Sequence, residues 1–156
     1  MKHSVLKNVI KIIICICYFS LSQLGWVSSA QAATSSIQWQ GLAGYSVTAT
    51  YTYEELPNGQ VIHEQGRGFT NKLKALQVQF YDSTGQLIYQ HDDIKDGVSQ
   101  GKYFELNLDP TTQEISGRID IGGENTEELF LRGTVNEGLS LMQIDASGEE
   151  FVLDHD

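Results

Sequence analysis

The sequence predicts an all-β domain, an antiparallel meander of about eight or nine strands folded as a β-sandwich or a small β-barrel. Three observations carry this. β-branched, aromatic and aliphatic residues recur at every second position in several short runs, the period of a strand with one buried face. Turn text rich in Asp, Asn and Gly separates those runs. No helical period fills the gaps, so strand follows strand, the pattern of antiparallel sheets rather than of βαβ units.

The chain has 156 residues, of which residues 1–32 read as a cleaved secretory leader. Lys2, His3, Lys7 and Lys11 form a cationic start, residues 12–24 an apolar stretch, and Ala30-Gln31-Ala32 a small-x-small cleavage site. The strongly apolar run, residues 12–19, falls well short of the ~20 residues of a membrane span. Cys15 and Cys17 leave with the leader and lack the small-residue context of a lipidation signal. The exported chain is therefore expected to carry no disulfide and no stable membrane anchor. Losing three lysines leaves seven basic residues against 20 acidic ones, a formal charge of −13 on 124 residues. Such a chain has no cationic footprint for nucleic acid. Its core alone must hold the fold, which is feasible where roughly two-thirds of the unfolded surface is hidden.

After a polar lead-in at residues 33–43, Tyr45, Val47, Ala49, Tyr51 and Tyr53 alternate with Ser46, Thr48, Thr50 and Thr52 in a long strand. Leu56-Pro57-Asn58-Gly59 turns the chain back into a second strand at residues 60–64, and Gly66-Arg67-Gly68 marks a bend. Leu76, Val78 and Phe80 form the next strand, which pairs through Asp82-Ser83-Thr84-Gly85 with residues 86–91. Residues 92–102 are polar, contain Gly97 and Gly101, and read as the longest loop. Phe104, Leu106 and Leu108 pass through Asp109-Pro110-Thr111-Thr112 into Ile115, Ile119 and Ile121. Residues 128–135 and 139–146 pair across Asn136-Glu137-Gly138, and residues 150–153 close the series. The strings after Asp82, Asp109 and Asp145 share one grammar. Turn chemistry explains it without a repeat, since Asp accepts backbone N–H groups and the glycines tolerate positive φ.

Two groups of residues are candidate sites. Tyr45, Tyr51 and Tyr53 would offer aromatic faces with polar tips to a sugar or apolar ligand, or else pack one face of the sheet. Asp92, Asp93 and Asp96 resemble half of a calcium loop, although Ile94 and Tyr103 stand where that loop needs oxygen ligands. Calcium is thus the only cofactor the sequence suggests. Glu124, Glu127 and Glu128 form a second acidic group. His63, His91 and His155 are isolated in sequence, which disfavours zinc. The chain has no phosphate-cradling glycine motif.

The strings Gly44-Tyr-Ser-Val-Thr-Ala-Thr-Tyr-Thr-Tyr53, Leu76-Gln-Val-Gln-Phe-Tyr-Asp-Ser-Thr-Gly-Gln-Leu-Ile88 and Phe104-Glu-Leu-Asn-Leu-Asp-Pro-Thr-Thr-Gln-Glu-Ile-Ser-Gly117 resemble uncharacterised β-rich secreted proteins of cyanobacteria. Some of those carry a Pro-Glu-Pro (PEP-CTERM) sorting tail, which is absent from Val152-Leu-Asp-His-Asp156. The resemblance implies export and a β fold, and it assigns no catalytic residue. Three functional readings follow. The first is an exported, non-enzymatic β-domain, periplasmic or extracellular, that contacts a protein, glycan or small ligand through its surface. The second is a lipocalin-like barrel enclosing a small apolar ligand. The third is a hydrolase whose carboxylates come from residues 92–96 and 124–128, which requires those loops to converge on one cleft with a raised carboxyl pKa.

Overall fold

The computed structural model describes residues 32–55 and 60–156; residues 1–31, expected to be a leader, and residues 56–59, expected to be a turn, lie outside them. Within the described residues thirteen strands form: β1 (Ala32–Gln40), β2 (Ser46–Glu54), β3 (Ile62–Gln65), β4 (Gly68–Phe69), β5 (Leu73–Tyr81), β6 (Leu87–Lys95), β7 (Val98–Ser99), β8 (Glu105–Asp109), β9 (Glu114–Ile115), β10 (Arg118–Gly122), β11 (Leu129–Thr134), β12 (Gly138–Ile144) and β13 (Glu150–His155). All pairings are antiparallel. A first sheet has the order β1-β2-β5-β6-β7-β4 and a second the order β13-β12-β11-β10-β8-β3, with β9 paired to β8. The all-β class is as the sequence predicts. The architecture is two sheets packed on one core, not a closed barrel, so an interior ligand chamber of the lipocalin kind has no wall to form it.

Nine strands lie where the alternation places them, and four are additional. The polar lead-in is a strand: β1 pairs with β2 along its whole length, from Ala32 opposite Glu54 to Gln40 opposite Ser46. Small polar residues conceal it, because only Ile37 and Trp39 alternate as buried apolar positions. The long loop at residues 92–102 is largely sheet as well. β6 continues to Lys95 and turns through Asp96 (φ 52°) and Gly97 (φ 74°) into β7, the two-residue turn that matches strand twist when both central residues have positive φ. A third correction concerns pairing. β2 takes β1 and β5 as neighbours, so β3 crosses to the second sheet and pairs with β8.

Alternation fixes which side chains meet in the middle. From the first sheet Val47, Tyr51, Leu76, Val78, Phe80 and Ile94 point inward, and from the second Ile62, Leu106, Leu108, Ile119, Leu131 and Leu141 meet them in one cluster. Each such burial contributes about 1.5–3 kcal/mol. The three Asp turns behave as their shared text requires. Asp82 accepts N–H bonds from Thr84 and Gln86, Asp145 from Ser147 and Glu149, and Asp109 from Thr111.

Carboxylates tie the two sheets together at the margins of this core. Glu64 of β3 accepts the N–H groups of Asn71 (3.0 Å) and Lys72 (2.5 Å), on the segment entering β5. Asp93 of β6 accepts the N–H of Gly122 at 2.9 Å. Asp154 of β13 accepts those of Ala43 (2.8 Å) and Tyr45 (3.0 Å), in the turn between β1 and β2. Asp156 accepts the Trp39 indole N–H at 3.0 Å and the N–H of Leu139 at 2.7 Å. Each of these carboxylates takes a donor from the opposite sheet, a polar counterpart to the apolar packing.

Candidate functional site

The outward half of the alternation defines two unlike faces. On the first sheet, Thr34, Ser36, Gln38 and Gln40 of β1 lie beside Thr52, Thr50, Thr48 and Ser46 of β2. Those in turn lie beside Ala75, Gln77, Gln79 and Tyr81 of β5. Side-chain bonds run across the strands between Thr34 and Thr52 (3.0 Å), Gln79 and Gln90 (2.9 Å), and Gln77 and Asp92 (2.9 Å), while the Tyr81 hydroxyl donates to Gln79 (3.0 Å). In β1, β2 and β5, nine residues each, Glu54 and Lys74 alone carry charge, and they pair with each other at 2.7 Å. Two shallow grooves cross this face. One of about 670 Å³ is lined by Thr50 and Gln77 and, at its charged end, by Lys74, Asp92, Lys95 and Asp96, and another of about 430 Å³ by Gln38, Gln40, Thr48 and Tyr81.

The outer face of the second sheet is ionic. Arg132 bonds Asp120 and Glu150, each at 2.7 Å, and stacks over the Phe130 ring at 4.6 Å. Arg118 approaches Glu105 at 3.4 Å, and His63 bonds Asn107. Burial raises the Asp120 carboxyl, with Arg132 opposing it.

The sequence-derived candidates divide between surface and interior. Tyr51 is 1% exposed, and Tyr45 and Tyr53 pack half-buried against the core, so the three tyrosines belong to the inward side of the sheet and present no ligand face. Burial raises the Tyr51 hydroxyl above its ordinary value. Of the aspartates, Asp92 points outward to Gln77, Asp93 points inward and is 1% exposed, and Asp96 occupies the β6–β7 turn. Successive strand residues face opposite sides, so these three carboxylates do not converge. Among the described residues no three Asp, Glu, His or Cys side chains gather as metal ligands do.

The two acidic segments do meet. Beyond its bond to Gly122, Asp93 stands 4.0 Å from His91 Nε2. His91 Nδ1 is 3.2 Å from the Tyr89 hydroxyl, with the rings stacked at 6.2 Å. Burial drives Asp93 well above the ordinary carboxylate range, and Glu124, Asp120 and Asp92 add to the rise while the Gly122 N–H opposes it. Burial also raises the Tyr89 hydroxyl, assisted by the charge of Glu128. Burial pushes Glu128 up as well, but hydrogen bonds from Asn125 outweigh it and leave the group below its usual value. A raised carboxyl in this place is the signature the hydrolase reading requires. Its burial denies it a substrate, however, and its acceptor capacity is already directed at a backbone amide of the opposite sheet.

Sequence reasoning passed over the outer face of the first sheet because its attention went to the tyrosines. The signal lay in the other half of the same alternation, where Ser46, Thr48, Thr50 and Thr52 occupy four of the five outward positions of β2 and Glu54 the last. No protein-family model, no curated protein and no solved structure matches this chain. The geometry defines an antiparallel two-sheet β-sandwich with one ionic face and one face that is uncharged over most of β1, β2 and β5 and charged at the end where Glu54, Lys74, Asp92 and Lys95 lie.

Proposed function

We propose that the protein is an exported, non-enzymatic binding domain that presents the outer face of its first sheet to a neutral glycan. The observation that supports this most is the uncharged array of hydroxyl and amide groups on a chain of formal charge −13 once the leader is removed. Ser, Thr and Gln each both donate and accept hydrogen bonds, as sugar hydroxyls do. An anionic ligand would find no cationic partner there beyond Lys74 and Lys95 at one end. Tyr81, at the rim of the smaller groove, supplies a ring with a polar tip.

Affinity electrophoresis through gels cast with neutral polysaccharides tests the reading. At least one neutral glucan, mannan or xylan should retard the native protein. Adding two charges to the face, Gln38→Glu with Thr50→Glu, should weaken retardation about tenfold or more, since each buried unpaired charge costs at least about 1.4 kcal/mol. Adding the same charge elsewhere, Gln65→Glu with Asn136→Glu, should leave it unchanged. Equal retardation of the two double variants would sink the assignment. Export is tested separately by expressing the full chain in a bacterial host and sequencing the N-terminus of the protein recovered outside the cytoplasm, which should begin at Ala33.

A further inference from the structure

Sheet edges expose unpaired N–H and C=O groups, and natural proteins guard them with charge, proline, bulges or brevity. Three of the four edges in this sandwich are guarded. β4 has two residues and β3 has four, the latter carrying His63 and Glu64. β13 carries Glu150, Asp154 and His155, and its pairing with β12 is interrupted by a bulge between Leu141 and Met142. β1 has none of these devices. It runs nine residues as Ala-Ala-Thr-Ser-Ser-Ile-Gln-Trp-Gln, with no charge, no proline and no register shift against β2. Among the described residues no strand pairs with its outer side.

We infer that β1 pairs edge to edge with β1 of a second copy, antiparallel about Ser36, joining the two first sheets into one of twelve strands. Two-fold symmetry makes such an interface self-complementary, and this strand suits it. Pairing about Ser36 sets Ala33 beside Trp39 and Ser35 beside Ile37 of the other copy on the inner side. Each small, half-buried residue then meets a large buried one. On the outer side Thr34 meets Gln38, again uncharged. Because the copies are otherwise strongly acidic, they repel one another through most approaches, and this uncharged strip, residues 33–40 once the leader is removed, is where that repulsion is locally absent. A partner strand from another protein is the competing occupant, and it would leave the purified chain monomeric. The inference does not rest on the glycan reading; its consequence would be to make the two neutral faces continuous.

The test uses the full chain, expressed with its leader and purified after export. Sedimentation should show a concentration-dependent dimer, and Ser36→Glu, which places like charges opposite each other at the two-fold axis, should raise the dimer Kd about two- to fivefold. Single cysteines report the register. Directly opposed strand residues lie about 4.5–5.5 Å apart at Cα, within disulfide range, so Ser36→Cys should oxidise to a covalent dimer. Gln40→Cys, eight residues from its own copy in this register, should not, and neither should the native chain. A monomer at every concentration, or a dimer in which Gln40→Cys crosslinks and Ser36→Cys does not, would overturn the inference.

Discussion

Asp93 and Asp154 are matched in position and opposed in character. Both are buried, at 1% and 2% exposure, both reach from one sheet to backbone amides of the other, and each lies against a glycine. Asp154 accepts three N–H groups, from Ala43, Tyr45 and His155. Burial pushes its carboxyl up, but those donors prevail and hold it below the ordinary range. Asp93 has the single Gly122 N–H against desolvation and the nearby Glu124, Asp120 and Asp92, and it rises. Deep desolvation and three neighbouring carboxylates outweigh one amide at Asp93, whereas three amides outweigh desolvation at Asp154. The β1–β2 turn over β13 is thus clasped by an anion, whereas the β6–β10 crossing favours the neutral acid.

Replacing the glycines breaks the comparison most severely. At Gly122, with φ 120°, a Cβ would come within 2.6 Å of the Leu129 carbonyl oxygen and 2.8 Å of the Phe130 Cα. Rigid backbone cannot give way, so Gly122→Ala should cost about 4 kcal/mol or more in urea unfolding. A Cβ at Gly41 would instead run into the Asp154 carboxylate, and Gly41→Ala should cost about as much as losing that clasp. Asp154→Ala leaves three amides without their acceptor and should lose about 2–4 kcal/mol at pH 7. A loss below about 1 kcal/mol would show that water replaces the carboxylate.

The pH dependence sharpens the contrast at smaller amplitude. Asp154 has a folded pKa below its unfolded value near 3.9, so its stabilisation is complete above that value and disappears as pH falls through the folded one. The Tm deficit of Asp154→Asn should therefore shrink on acidification from about pH 5 towards pH 2. Asp93 has the opposite sign. Its folded pKa lies above the unfolded one, so stability is lost as pH rises through the folded value. Asp93→Asn keeps an acceptor for Gly122 and removes the titration, so its Tm should gain on that of the native protein as pH is raised from about 4 to 9. A Tm difference independent of pH would refute the assignment.

Strong period-two text made the fold class and nine of the strands legible. Where side chains were small or polar, the pattern faded. Residues 32–36 bury no large side chain, so β1 reads as a linker. β4, β7 and β9 have two residues each, too few to show any period. Asp96-Gly97 carried a hairpin signature, but Asp92 and Asp93 before it made the segment look like solvated loop. The site was less legible than the fold for the same reason. Nothing local distinguishes Asp93, which faces the core, from Asp92, which faces water. Asp154 has its role through a turn 111 residues away.

The bond between the Trp39 indole and Asp156 gives the molecule an optical gauge. The chain's other tryptophan, Trp26, precedes the described residues, so a chain that begins after Ala32 has one indole, set where β1 meets the last strand. Its emission reads the coming apart of that seam directly, and compared with a probe of the whole fold it offers a spectroscopic clock for the order in which the two sheets separate.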